Sequence, residues 1–247
     1  NRYPQSRMGV EQIMRDAFQA AREYENRKRS AGIGALVRRD LQLDALLEIV
    51  NGQRLIHCHS YQQSEILMLM RLAEEFGFTI HTFTHILEGY KVAREMAEHG
   101  AMASSFSDWW AYKFEVYDAI PENPAIMHDQ GVVVSVNSDD AEMARRLNQE
   151  AGKSIPYGGV SDEEAIRFVT INAAKQMKVD HRTGSLEVGK DADVVVWNGH
   201  PLSSMSRVER TYVDGRLLFS RDLDEQLRKR DQKLRRDLEQ QALAAKN

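Results

Sequence analysis

Three residues of ligand or base type stand where short apolar runs end. They are His57 in Leu55-Ile56-His57-Cys58-His59-Ser60, His85 in His81-Thr82-Phe83-Thr84-His85-Ile86, and Asp139 in Val136-Asn137-Ser138-Asp139-Asp140. Two neutral imidazoles and a carboxylate suit a divalent cation and leave room for water. Such a cation can lower the pKa of its bound water from about 15.7 towards 7, and a nearby carboxylate can then take the proton. Each residue also has a plainer role. A histidine in a sheet is more often held by structural hydrogen bonds, and an aspartate after a strand more often makes a turn or helix cap, which Asp140 could do equally well. His59, two residues beyond His57, points to the same side if the strand continues. It can contact substrate, support a ligand or be one itself, and Tyr61 is grouped with it as a substrate contact. His81 is assigned to structure, and His99, His128, His181 and His200 to surface or loops.

The elements that must position these residues follow from periodicity. Val10, Ile13, Met14, Ala17, Ala21 and Tyr24 recur at helical spacing, and Leu43, Leu46, Leu47 and Val50 form a second stripe that stops at Asn51-Gly52. From Gln53 the texture becomes strand and helix in alternation. Strands are expected at residues 54–57, 78–84, 101–104 and 131–136, with helices at 65–76, around Val92 to Ala97, and after the cap Ser161. Alternation with short links implies parallel strands joined by right-handed crossovers. The C-terminal ends of such strands share one rim, so residues far apart in sequence converge there. Half of an eight-stranded barrel and an open doubly wound sheet both fit. The excursion between Ser105 and Pro124 holds Trp109, Trp110, Tyr112, Phe114 and Tyr117. It can wall a pocket, with Trp109 as a substrate contact, or simply cover the core.

After Lys178 the chain reads as a small β-module, with strands at residues 194–197 and 208–219, the second broken by the hairpin signal Asp214-Gly215. From Arg221 it is densely charged, with Leu223, Leu227, Leu234 and Leu238 as a thin stripe. A surface helix packed on its own protein is the first reading, ahead of a coiled-coil helix or a nucleic-acid arm, because acids interleave with the bases. Three segments result: a barrel portion with a helical start (1–180), a β-domain segment (181–220) and a charged helix (221–247).

Composition narrows the classes. The 247 residues are 42% hydrophobic and 28% charged, with a formal charge of -4, which offers no basic surface for nucleic acid. Cys58 is the only cysteine, so no intrachain disulfide forms. No apolar run approaches the roughly 18 residues of a membrane span. The opening Asn1-Arg2-Tyr3-Pro4 reads as mid-protein, with any signal upstream and the compartment open.

The run from Gly184 to Val196 (Gly-Ser-Leu-Glu-Val-Gly-Lys-Asp-Ala-Asp-Val-Val-Val), followed by Gly199-His200-Pro201-Leu202 and Tyr212-Val213-Asp214-Gly215-Arg216, resembles the closing β-segment of the amidohydrolase superfamily. Thr170 to Met177 resembles the helix before it, and the likeness covers roughly residues 53–220, closest to the imidazolonepropionase-like and prolidase-like branch. The resemblance implies an α/β fold, the C-terminal portion of a TIM-type (β/α)8 barrel plus a small β-sandwich segment. It also implies that His57 and His85 bind the second of two divalent metals, zinc first, and that Asp139 bridges to the first metal and acts as general base. The substrate would be an amide, a dipeptide or a cyclic amide.

Two departures qualify this. The family's deaminases and imidazolonepropionase carry a glutamate three residues after the strand-five histidine, where this chain has Ser60. That favours hydrolysis of dipeptide-like amides. The family's first-strand His-x-His has no counterpart ahead of the barrel strands, so the chain is expected to lack strands one to four. Self-association, or pairing with a missing N-terminal half, is then expected, and the competing reading is a catalytically incomplete half-barrel that serves assembly or binding.

Overall fold

The computed structural model of the chain describes residues 3–32, 36–107 and 111–245; Trp109 lies outside the described residues. They divide into two compact units, Asn1–Gln176 and Met177–Asn247.

The first unit opens with two helices, α1 (Arg7–Ser30) and α2 (Leu41–Val50), each started by a side-chain cap. The Ser6 hydroxyl accepts from Gly9 N at 3.1 Å, and the Asp40 carboxylate accepts from Gln42 N and Leu43 N at 3.0 and 3.1 Å. Ala21, Tyr24 and Leu47 form the buried seam between them. Four strands follow: β1 (His57–His59), β2 (Thr82–Thr84), β3 (Met102–Ser105) and β4 (Val134–Val136). They pair in chain order and all are parallel. Helix α3 (Gln63–Glu75) links β1 to β2, α4 (Ala93–His99) links β2 to β3, and α5 (Asn123–Asp129) precedes β4. Then come α6 (Leu147–Gly158), α7 (Asp162–Arg167) and α8 (Ile171–Gln176). Ser161 caps α7, accepting from Glu164 N at 3.2 Å.

Alternation across the pleat sorts the sheet into two faces. Phe83, Ala103 and Val134 lie on one, fully buried in a core with Ile66, Met96 and Phe168. The opposite face is polar and carries the site.

The second unit is a three-stranded antiparallel sheet, β5 (Val194–Trp197), β6 (Val208–Val213) and β7 (Arg216–Ser220), with the β6–β7 turn at Asp214-Gly215. It is one sheet, not the two of a sandwich, among the described residues. Helix α9 (Arg221–Ala244) packs on β6 and β7 and buries none of its residues.

Candidate active site

The strand register sets the depth of each side chain on the polar face. His59, Thr84, Ser104 and Ser135 lie in one cross-strand row, and His57, Thr82 and Met102 in the row one pleat lower. Helix α8 closes the floor through Gln176. Its Oε1 accepts from the Ser135 hydroxyl at 2.7 Å, and its Nε2 donates to Ala103 O at 2.8 Å. Asn137 Nδ2 donates to Ser104 Oγ at 2.6 Å. The sequence reading passed over Ser104, Ser135, Asn137 and Gln176. Polar residues at alternate positions 135, 137 and 139 were the signal available.

At the rim, His85 follows the last residue of β2 with φ at 55°, in the left-handed region, which turns the chain sharply off the strand. Its Nε2 lies 3.4 Å from Asp139 Oδ1, and its ring centroid is 4.9 Å from that of His59 and 5.6 Å from that of Phe106. The His57 ring instead faces His81, centroids 5.5 Å apart, and His81 Nε2 is 3.0 Å from Gln176 O. The structure therefore sets His85 against both His59 and Asp139, while His57 stands beside His81. The His59 ring meets Tyr61 edge-on at 4.6 Å. Asp140 takes the capping role, accepting from Glu142 N and Met143 N at 2.9 Å each, which leaves Asp139 to the rim with 72% of its side chain exposed.

The electrostatics favour a neutral His85. Burial pushes its pKa below the ordinary histidine value, against the opposing pull of Asp139. Neutral imidazole is the form that can ligate a metal or take a proton. Asn137 lies within side-chain hydrogen-bonding reach of the His85 ring, and Thr82 Oγ1 is buried on the same face. Among the described residues no group of three His, Cys, Asp or Glu is arranged to hold a metal ion. His59, His85 and Asp139 fit a divalent cation in donor chemistry, as part of a coordination shell.

His99 departs from its surface assignment. Its side chain is 2% exposed, Nε2 accepts from Ile80 N at 3.0 Å and Nδ1 lies 2.8 Å from Glu74 Oε1. It fastens α4 to α3 and to the approach to β2.

Residues 120–218 match the profile of the Amidohydrolase family. Over that stretch the chain is similar to the amidohydrolase family. It is similar to an amidohydrolase of the fungus Hapsidospora irregularis, TasK, with 27% identity over 231 residues, 87% of this chain and 23% of that protein. It is also similar to the imidazolonepropionase of Picrophilus torridus, 37% identical over 68 residues, 25% of this chain and 17% of the relative. A solved amidohydrolase of Thermotoga maritima superposes with a TM-score of 0.80 at 30% identity, covering 89% of this chain and 58% of that one. The chain spans less than two thirds of each of these relatives. The α/β fold of the amidohydrolase-family structures is thus shared here, with the four-stranded parallel sheet as its centre.

Proposed function

We propose that this chain is part of a metal-dependent hydrolase of amide C–N bonds, to which it contributes His59, His85 and Asp139. The observation that carries this reading is the 3.4 Å approach of His85 Nε2 to Asp139 Oδ1 at the strand rim, with His59 alongside. His59 takes the ligand place that the sequence reading gave to His57, because it is the ring that reaches His85. A divalent cation, zinc first, would supply Lewis acidity there and lower the pKa of its bound water. Asp139, exposed beside it, accepts the proton from the attacking water. His85 is held neutral by burial, and Phe106 shields its ring on one side. Counted from His59, the third residue on is Gln62, which like Ser60 bears no carboxylate. Both countings favour a dipeptide or other acyclic amide over ring deamination.

The competing reading is an assembly module. It draws support from the open edge of β1 and from the incomplete ligand set among the described residues. Metal analysis of the purified chain after dialysis against zinc separates the two. Near-stoichiometric zinc, lost in His59→Ala and His85→Ala but kept in His57→Ala, is the expected result. It would make a panel of dipeptides the next assay. No bound metal in the unmodified chain would sink the metal site and leave assembly as the better account.

A further inference from the structure

We propose that Tyr61, Tyr112 and Lys113 form an anion subsite that selects substrates carrying a carboxylate, an inference that rests on the hydrolase reading above. The ammonium of Lys113 sits 4.4 Å from the centroid of the Tyr61 ring and 5.4 Å from that of Tyr112. Its Nζ donates to Tyr61 Oη at 3.4 Å, and the two phenol oxygens are 3.5 Å apart. Two aromatic faces thus hold a cation that would otherwise sweep through solvent. A third group, Glu115 Oε2, lies 3.3 Å from the ammonium, with 53% of its side chain exposed. Exposed ion pairs of this kind are worth little, so an incoming carboxylate can displace Glu115 at small cost.

Position gives the cluster its meaning. A cleft of roughly 270 Å³ is bordered by Lys113 and its partner Glu115, by Tyr61, Ser60, Gln62 and His59, and by Arg7 and Glu65, which pair with each other. Tyr61 is the shared wall, with Lys113 over its ring and its edge against His59 at 4.6 Å. An anion held by Lys113 is therefore two ring contacts from His59 and three from His85. An ammonium with spare donors beside two phenols matches a carboxylate, which accepts several hydrogen bonds at once. A purely structural role would be to seat the loop, since Tyr61 also packs on the cluster of Leu87, Phe106, Val116 and Ala119. That role would not distinguish an acid from its amide.

The test compares N-acetylglycine with N-acetylglycinamide on the zinc-treated chain, by equilibrium binding followed through the tyrosine ring resonances, and by hydrolysis of a dipeptide and its carboxamide. The acid should bind at least about tenfold more tightly than the amide, the scale of a charge-assisted hydrogen bond. Lys113→Met should abolish that preference, and Lys113→Arg should keep it. In turnover, Lys113→Met should raise KM for the acid with kcat nearly unchanged. Equal binding of acid and amide, or a preference that survives Lys113→Met, would overturn the subsite. Acid-selective binding with no hydrolysis of either substrate would sink the hydrolase reading and leave the subsite standing. Hydrolysis without selectivity would do the reverse.

Discussion

His57 and His59 are the same residue type on the same face of the same strand, and only His59 meets His85. The pleat makes them equivalent in direction; register against β2 makes them different in depth. A single sequence records direction through alternation and contains nothing that fixes depth, so it does not say which of the two rings lies beside His85. The position of Asp139 beside His85 was legible from its place just after an apolar run, and Asp140 does the capping. Glu150 was not legible. It sits on α6 among ordinary helix residues, yet its side chain is 3% exposed. Its Oε2 accepts from Ser107 N at 2.8 Å and Ser107 Oγ at 2.9 Å, and its Oε1 from Lys153 Nζ at 2.8 Å. Burial also holds the Lys153 pKa below the ordinary lysine value. Breaking a buried ion pair leaves a charge uncompensated, so Glu150→Ala should cost about 3 kcal/mol in urea unfolding. A loss under about 1 kcal/mol would mean the loop after β3 is anchored otherwise.

Punctuation was the most readable feature of the elements. Ser161 before three acids and Asp214-Gly215 between two strand-like runs each produced the cap or turn that their chemistry requires. Strand limits were less readable. The expected strand at 131–136 pairs only over Val134–Val136, and the one expected at 54–57 begins at His57. The apolar residues ahead of each strand serve the approach to the sheet, and no periodicity separates approach from ladder. His99 was misjudged for a related reason, since its partners Ile80 and Glu74 come from other elements.

The α1–α2 pair turns on Asp44, to which Arg39 Nε donates at 2.8 Å, Lys28 Nζ at 3.3 Å and Tyr24 Oη at 3.3 Å. The hydrogen bond from Arg39 first, then Lys28 and Tyr24, hold its carboxyl below the usual carboxylate value against desolvation. A carboxyl lowered by folding stabilises above its unfolded pKa of about 3.9 and loses that contribution as pH falls through the lower folded value. Asp44→Asn should therefore unfold at a lower denaturant concentration than the unmodified chain at pH 7. The gap should close as pH falls through the lowered carboxyl pKa, once both side chains are neutral. A gap independent of pH would show that packing, not charge, sets the difference.

At the scale of the whole molecule, the two units expose different kinds of surface. In the first, β1 pairs with β2 alone among the described residues and is an edge strand of the parallel sheet, a feature proteins ordinarily cover. In the second, the leucines of α9 remain 38–54% exposed at positions 223, 227, 234 and 238. They recur at eleven residues, a spacing that keeps one stripe on a nearly straight helix. Since none is buried, Leu234→Glu should change unfolding by less than about 0.5 kcal/mol. A drop of several degrees in Tm would show that the stripe is covered in solution.

Cys58 lies between the two histidines of β1 and faces the other way, into a groove of about 400 Å³ that it shares with Met8, Met14, Met68 and Leu69. Burial raises its thiol pKa above the ordinary value, so little of it is thiolate near neutral pH. Reaction with a maleimide should accordingly be slow, and anything that settles in the groove should slow it further.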